Sequence, residues 1–232
     1  MIASFHLTRY PREHAQRALS RMAFDRPVLA RTDGLRFWRM LGTARGNAMS
    51  LSADLRRWAM FAVWQDDAAL DRFLGQSPIA AQWRSAGQET WSVRLGYAGG
   101  HGRWGGREPF DGMTAQAVAA GQPVAVLTRA AIRPRRLARF YRAVPAVDQA
   151  LARADGCLRA VGIGEWPVAR QATFSLWRDT SAVRGFAYTG GAHAAVITRT
   201  RQEDWFTEEC FARFIPYASA GSWDGADPLD GA

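Results

Sequence analysis

At 232 residues the chain has room for one large domain or two of about 100 residues each, and its 48% hydrophobic content is ample for a real core. Its 30 basic residues are all arginine against 21 acidic ones, a net charge of +9 that is read first as a GC-rich coding background and second as a selected basic patch. Cys157 and Cys210 make neither a disulfide framework nor a zinc spacing, and the opening MIASFHLTRYPREHAQR lacks a signal peptide's apolar core. No apolar run approaches the roughly 20 residues of a membrane span, so the expectation is a cytoplasmic protein.

Taken in chain order, a strand at 3–9 leads through Pro11 into a helix with Ala15, Ala18, Leu19 and Met22 on its apolar stripe. Strands at 35–41 and 58–64 come next. Asp66 then caps a helix carrying Ala69, Leu70 and Phe73 inward, and a strand at 90–97 precedes RWGGREPFDG (103–112). After GMTAQAVAAGQ (112–122), a linker by composition, the series begins again. It runs strand 124–132, Pro134, a helix with Leu137, Phe140, Tyr141 and Val144, strands 158–164 and 171–177, a helix capped by Asp179, a strand near 210–217, and SWDGADPLDG (222–231).

The recurrence is also visible residue by residue. RRWAMFAVWQDDAALDRF (56–73) returns as ARQATFSLWRDTSAVRGF (169–186), and ARTDGLR (30–36) returns in ARADGCLR (152–159). The order is βαββαβ twice, the ferredoxin-like plan. Each half has helices on one sheet face and an apolar second face that needs a cover, so two copies in one chain cover each other. The expected fold is α+β, a pseudo-dimeric barrel of an N-terminal half (1–112) and a C-terminal half (122–232).

The halves differ at one place. Aligning Leu35 with Leu158 sets Phe37 against Ala160, Arg39 against Gly162 and Leu41 against Gly164, and Trp83 against Val196. Val196 belongs to YTGGAHAAVITRTR (188–201), where His193, Val196, Ile197 and Thr200 fall on one helical stripe. Two readings stay open. In one, neighbouring side chains fill the space, the glycines are a bulge and His193 is a hydrogen-bonded core residue. In the other, a flat apolar ligand lies over Ala160, Gly162 and Gly164 beside Val196 and Ile197, and His193 gives an axial nitrogen to haem b, with no Cys-x-x-Cys-His for covalent attachment. Arg159 and Arg213 are candidate donors to bound oxygen or to a propionate. Glu165 lies in an expected loop, His101 in a glycine-rich stretch is the second candidate ligand, and His6 and His14 fall in the filled half.

GLRFWRMLGTARG, RWAMFAVWQDD, RWGGREPF and VGIGEWPVARQATFSLWRD resemble the spheroidene monooxygenase family of carotenoid biosynthesis, from about Ala3 to Leu229. FAYTGGAHAAVITRTRQEDWF also resembles single-copy domains of the dimeric α+β barrel superfamily, in which a histidine occupies this helix start. The resemblance implies oxidation of a linear carotenoid at C-2 to a ketone, with O₂, a haem iron and electrons from a ferredoxin-type donor. A peripheral contact with the inner membrane is a further expectation, because carotenoids dissolve there. Other readings are a haem peroxidase or dehydratase on another apolar substrate, and a non-catalytic haem or carotenoid carrier. TRAAIRPRRLARFYR suggests nucleic acid, but its aromatics fit the helix's buried stripe and no RNA-module signature accompanies them, so no nucleic-acid partner is expected.

Overall fold

The computed structural model describes residues 1–46, 53–166, 170–188, 199–200 and 202–231. The first half runs β1 (Ile2–Arg9), α1 (Ala15–Phe24), α2 (Arg26–Ala30), β2 (Leu35–Ala44), β3 (Ala53–Trp64), α3 (Asp67–Gln76), α4 (Pro78–Ala86) and β4 (Glu89–Gly102). The second runs β5 (Val124–Ile132), α5 (Leu137–Ala152), β6 (Cys157–Trp166), β7 (Arg170–Trp177), α6 (Thr180–Tyr188) and β8 (Phe206–Gly221). Both expected helix caps form: Asp66 accepts from the Ala69 N–H and Asp179 from the Ala182 N–H, each at 2.8 Å.

The eight strands close into one antiparallel barrel in the order β1-β3-β2-β6-β7-β5-β8-β4. Each half contributes a four-stranded ferredoxin-like sheet, and the sheets join edge to edge at β2 with β6 and at β4 with β8. Closure removes the unpaired edges that an isolated half would expose. β4 and β8 run past the limits of their apolar alternation because main-chain pairing across the seam, from Trp91 with Gly221 to Gly102 with Cys210, needs no particular side chain. Both seam pairs are antiparallel, so the pseudo-two-fold axis crosses the barrel at right angles to its own axis and exchanges its ends.

An eight-stranded barrel is just wide enough for its inward side chains to fill it. Here Phe5, Leu7, Phe61, Val93, Leu127, Val161, Phe174 and Phe214 do so. Phe5 stacks on Phe174 across the barrel at 3.9 Å between ring centroids, tying one half to the other. The two Trp-Gly segments, which repeat in the sequence without an evident role, close the ends. Trp104 packs on Phe37 and Phe61 at one end, and Trp223 packs on Trp91 at the other.

Polar groups hold the first cap. Glu165 takes the Arg39 guanidinium at 2.7 Å and the Trp104 indole N–H at 2.9 Å. Glu208 pairs with Arg129, only 2% exposed, and accepts the Gly105 and Gly106 N–H groups at 2.8 and 2.7 Å. Two cations thus meet two carboxylates inside the barrel mouth. Glu165, expected in a solvated loop, lies on β6 and serves this cap. With both ends shut and the interior filled, a ligand has to be sought on the outer, helix-covered faces.

Candidate functional site

Strand pairing corrects the alignment of the two halves. Leu35 and Cys157 face Trp64 and Trp177, the matching ends of β3 and β7, and one extra residue is bulged after each. The shared Leu-Arg dipeptides of the sequence mislead by one residue, and a one-residue slip moves every side chain to the other face. Phe37 and Leu41 therefore point into the barrel and do not match Ala160 and Gly164. On the outer face Ala160 matches Trp38, Gly162 matches Met40, and Gly164 matches Gly42; on the next strand Thr173 matches Met60 and Gln171 matches Trp58. The loss of bulk is real, but it lies on the face that the helices cover.

One row across each sheet shows the contrast. In the first half it runs Ser92, His6, Met60, Met40. His6 is 3% exposed, contacts the Trp83 ring of α4 at 5.1 Å, and its Nε2 lies 2.9 Å from the Ser4 hydroxyl. Burial, then the nearby Arg94 charge, pushes its pKa down to about 3, so this imidazole is neutral. What space is left beside it, about 20 Å³, suits about one water.

In the second half the same row runs Phe211, Thr128, Thr173, Gly162, and His101 of β4 extends it across the seam. Thr128, in mid-strand where His6 is sealed, is exposed, and so is His101, whose ring lies 5.8 Å from that of Phe211. Apolar layers flank the row: Trp177 and Val126 with Phe186 of α6 on one side, Ile132 and Trp205 with Phe140 of α5 on the other. Gly162 itself is buried and Thr173 half-buried, so what the described residues give is a trough of small side chains, glycine and threonine, between aromatic walls, with Thr128 and His101 exposed along it. Thr128, Thr173 and Phe211 carry no sequence signal of their own; comparison of the repeats in correct register reveals them.

His193, Val196 and Ile197 lie outside the described residues. Arg159 sits on the barrel side of β6, back to back with Ala160, with its guanidinium on the Leu158 carbonyl at 2.9 Å; it does not reach the outer face, because alternate residues of a strand point opposite ways. Arg213 is on the outer face of β8, beside Val126 and two residues from Phe211. His101 belongs to β4 rather than to a turn. His14 is in a short 3-10 turn of the first half. Burial pushes the Cys157 thiol up to about 11 and Cys210 to about 12, so neither is a thiolate at neutral pH. Among the described residues no three His, Cys, Asp or Glu side chains gather as a metal cluster.

No family model matches the chain. Spheroidene monooxygenase of Rhodobacter capsulatus is 32% identical over 211 residues, covering 91% of this chain and 88% of that protein. The enzyme of that name from Rubrivivax gelatinosus is 38% identical over 199 residues, 83% of this chain and 73% of the relative. The chain belongs to the spheroidene monooxygenase family. It spans 60% of the length of the family member from Cereibacter sphaeroides, with 33% identity over 195 residues. Among solved structures, an aldoxime dehydratase shares the fold with a TM-score of 0.56 and 13% identity, covering 93% of this chain and 80% of that one. Another, in complex with butyraldoxime, gives 0.54 and 12% over 93% and 79%. Both likenesses are of fold alone.

Proposed function

We propose that this chain is a haem-dependent monooxygenase that oxidises a linear carotenoid of the spheroidene type at C-2 to a ketone, using O₂ and electrons from a ferredoxin-type donor. The observation that carries the reading is the loss of side-chain bulk on the second half's helix-covered face, at Ala160, Gly162 and Thr173 beside the exposed Thr128, in a chain whose relatives are named spheroidene monooxygenase. A flat apolar group would need the room gained where Met40, Met60 and Trp38 are replaced by Gly162, Thr173 and Ala160. Ala160, Gly162, Gly164 and Thr173 would give haem b its room, and His193 would hold its iron. Bound haem would supply O₂ activation for attack on a C–H bond.

The remaining work falls to the chain. Phe211, Trp177 and Phe140 give apolar walls that orient one end of the polyene and keep water away. His101 lies exposed at the edge of this row, opposite Phe211 across the seam. Arg133, Arg135, Arg136, Arg139 and Arg199 gather round Glu203 and Asp204, a net positive surface suited to an acidic electron donor. No described helix is long and apolar enough to cross a membrane; the proposed contact with the inner membrane is peripheral.

The test is an absorption spectrum of protein from haem-supplemented cells beside its His193→Ala variant, followed by turnover of spheroidene with ¹⁸O₂ and a reducing system. A Soret band altered in the variant, with labelled ketone in the product, supports the proposal. No band in either protein removes the haem. Binding without turnover leaves a carrier, and oxidation driven by peroxide alone leaves a peroxidase.

A further inference from the structure

The pseudo-two-fold makes Arg94 and Arg213 counterparts, for Arg94 lies opposite Ser4 on β1 and Arg213 opposite Val126 at the matching position of β5. In the first half this arginine is saturated. Arg94 donates to Asp67 at 2.6 Å and also to Asp71, both on α3, and the Tyr217 hydroxyl joins at Asp67 at 2.8 Å. α6 docks on its sheet as α3 does: Phe186 meets Trp177 at 5.2 Å and 40°, Phe73 meets Trp64 at 5.1 Å and 44°. Counted from the two capping aspartates, Asp67 becomes Thr180 and Asp71 becomes Arg184.

The second half thus keeps the arginine, deletes both carboxylates and adds a cation. The Arg213 Nε is buried without a hydrogen-bond partner. Seven other arginines share that feature, and each sits in an ion pair with a carboxylate; Arg213 sits in none among the described residues. A partly desolvated guanidinium with an idle face recovers its lost solvation when an oxyanion binds, and its planar fork suits a carboxylate.

We infer that Arg213 and Arg184 form an oxyanion site at the edge of the glycine- and threonine-lined trough, one that holds a carboxylate of a ligand bound there. The inference rests on the haem reading for the source of that carboxylate, a propionate, but the site itself does not. The experiment uses the full chain with ¹⁵N-labelled arginine, titrated with haem, haem dimethyl ester, inorganic phosphate and succinate, following the Nε–H signals of Arg213 and of Arg94 as the saturated control. Haem should bind about ten-fold or more tightly than its ester and shift the Arg213 signal but not that of Arg94. That preference should vanish in Arg213→Gln, weaken in Arg213→Lys, and vanish in Thr180→Asp/Arg184→Asp, which restores the first half's internal pair. Equal binding of haem and ester by the native chain, or an unchanged preference in Arg213→Gln, overturns the inference. If haem does not bind at all, the cofactor reading alone fails and the free anions decide. A phosphate- or succinate-induced shift of Arg213, lost in the double variant, upholds the site; no shift overturns it.

Discussion

Gly162 and Met40 hold the same place in two copies of one fold, and that substitution changes what the surface can do. A threonine in mid-strand announces nothing in a sequence, so Thr128 and Thr173 were legible only beside His6 and Met60. Arg213 was legible as a candidate by type and position, while the loss of its counter-ions needed the helix register. His6 shows the opposite condition, a titratable group sealed in its neutral form. Its folded pKa, about 3, lies below its unfolded value near 6.5, so the unfolded chain binds the extra proton and stability falls as pH drops between the two. Unfolding free energies from urea titrations across that window should therefore decline by up to about 1.4 kcal/mol per pH unit from this group. His6→Gln should flatten the decline; an equally steep profile in the variant would show that His6 does not titrate this way. Glu165 is held by the barrel cap, and Glu165→Ala leaves Arg39 facing the Arg129 charge without it. A loss on the order of 3 kcal/mol in urea unfolding is expected, and a loss under about 0.5 kcal/mol, the level of an ordinary surface change, would remove the cap from the account.

Among the elements, strands and helices followed from apolar spacing because period and burial agree in both copies. The bulges after Leu35 and Cys157 did not, since an extra residue leaves no mark on composition and only pairing reveals it. α4 roofs the first half through Trp83, which touches both His6 and Phe73. Trp83→Ala should cost about 3–5 kcal/mol by opening a cavity there, measured by urea unfolding. It should leave ligand affinity in the second half within two-fold of native, about 0.4 kcal/mol. A large drop in that affinity with the fold intact would place the site in the first half.

At the scale of the whole molecule, duplication made the architecture readable: a sheet with one uncovered apolar face needs a partner, and the second copy is in the chain. Edge pairing at the two seams and the Trp104 and Trp223 caps were hidden, because the first depends on main-chain groups and the second on distant chain segments meeting. Since the barrel is filled and shut at both ends, asymmetry between its outer faces is what the proposed site rests on. The direct test is to refill the trough with the first half's own residues, Gly162→Met and Thr173→Met, and record haem uptake by the Soret band alongside circular dichroism. The account predicts a native fold that no longer takes up haem. A refilled protein that binds haem as the native chain does would contradict it.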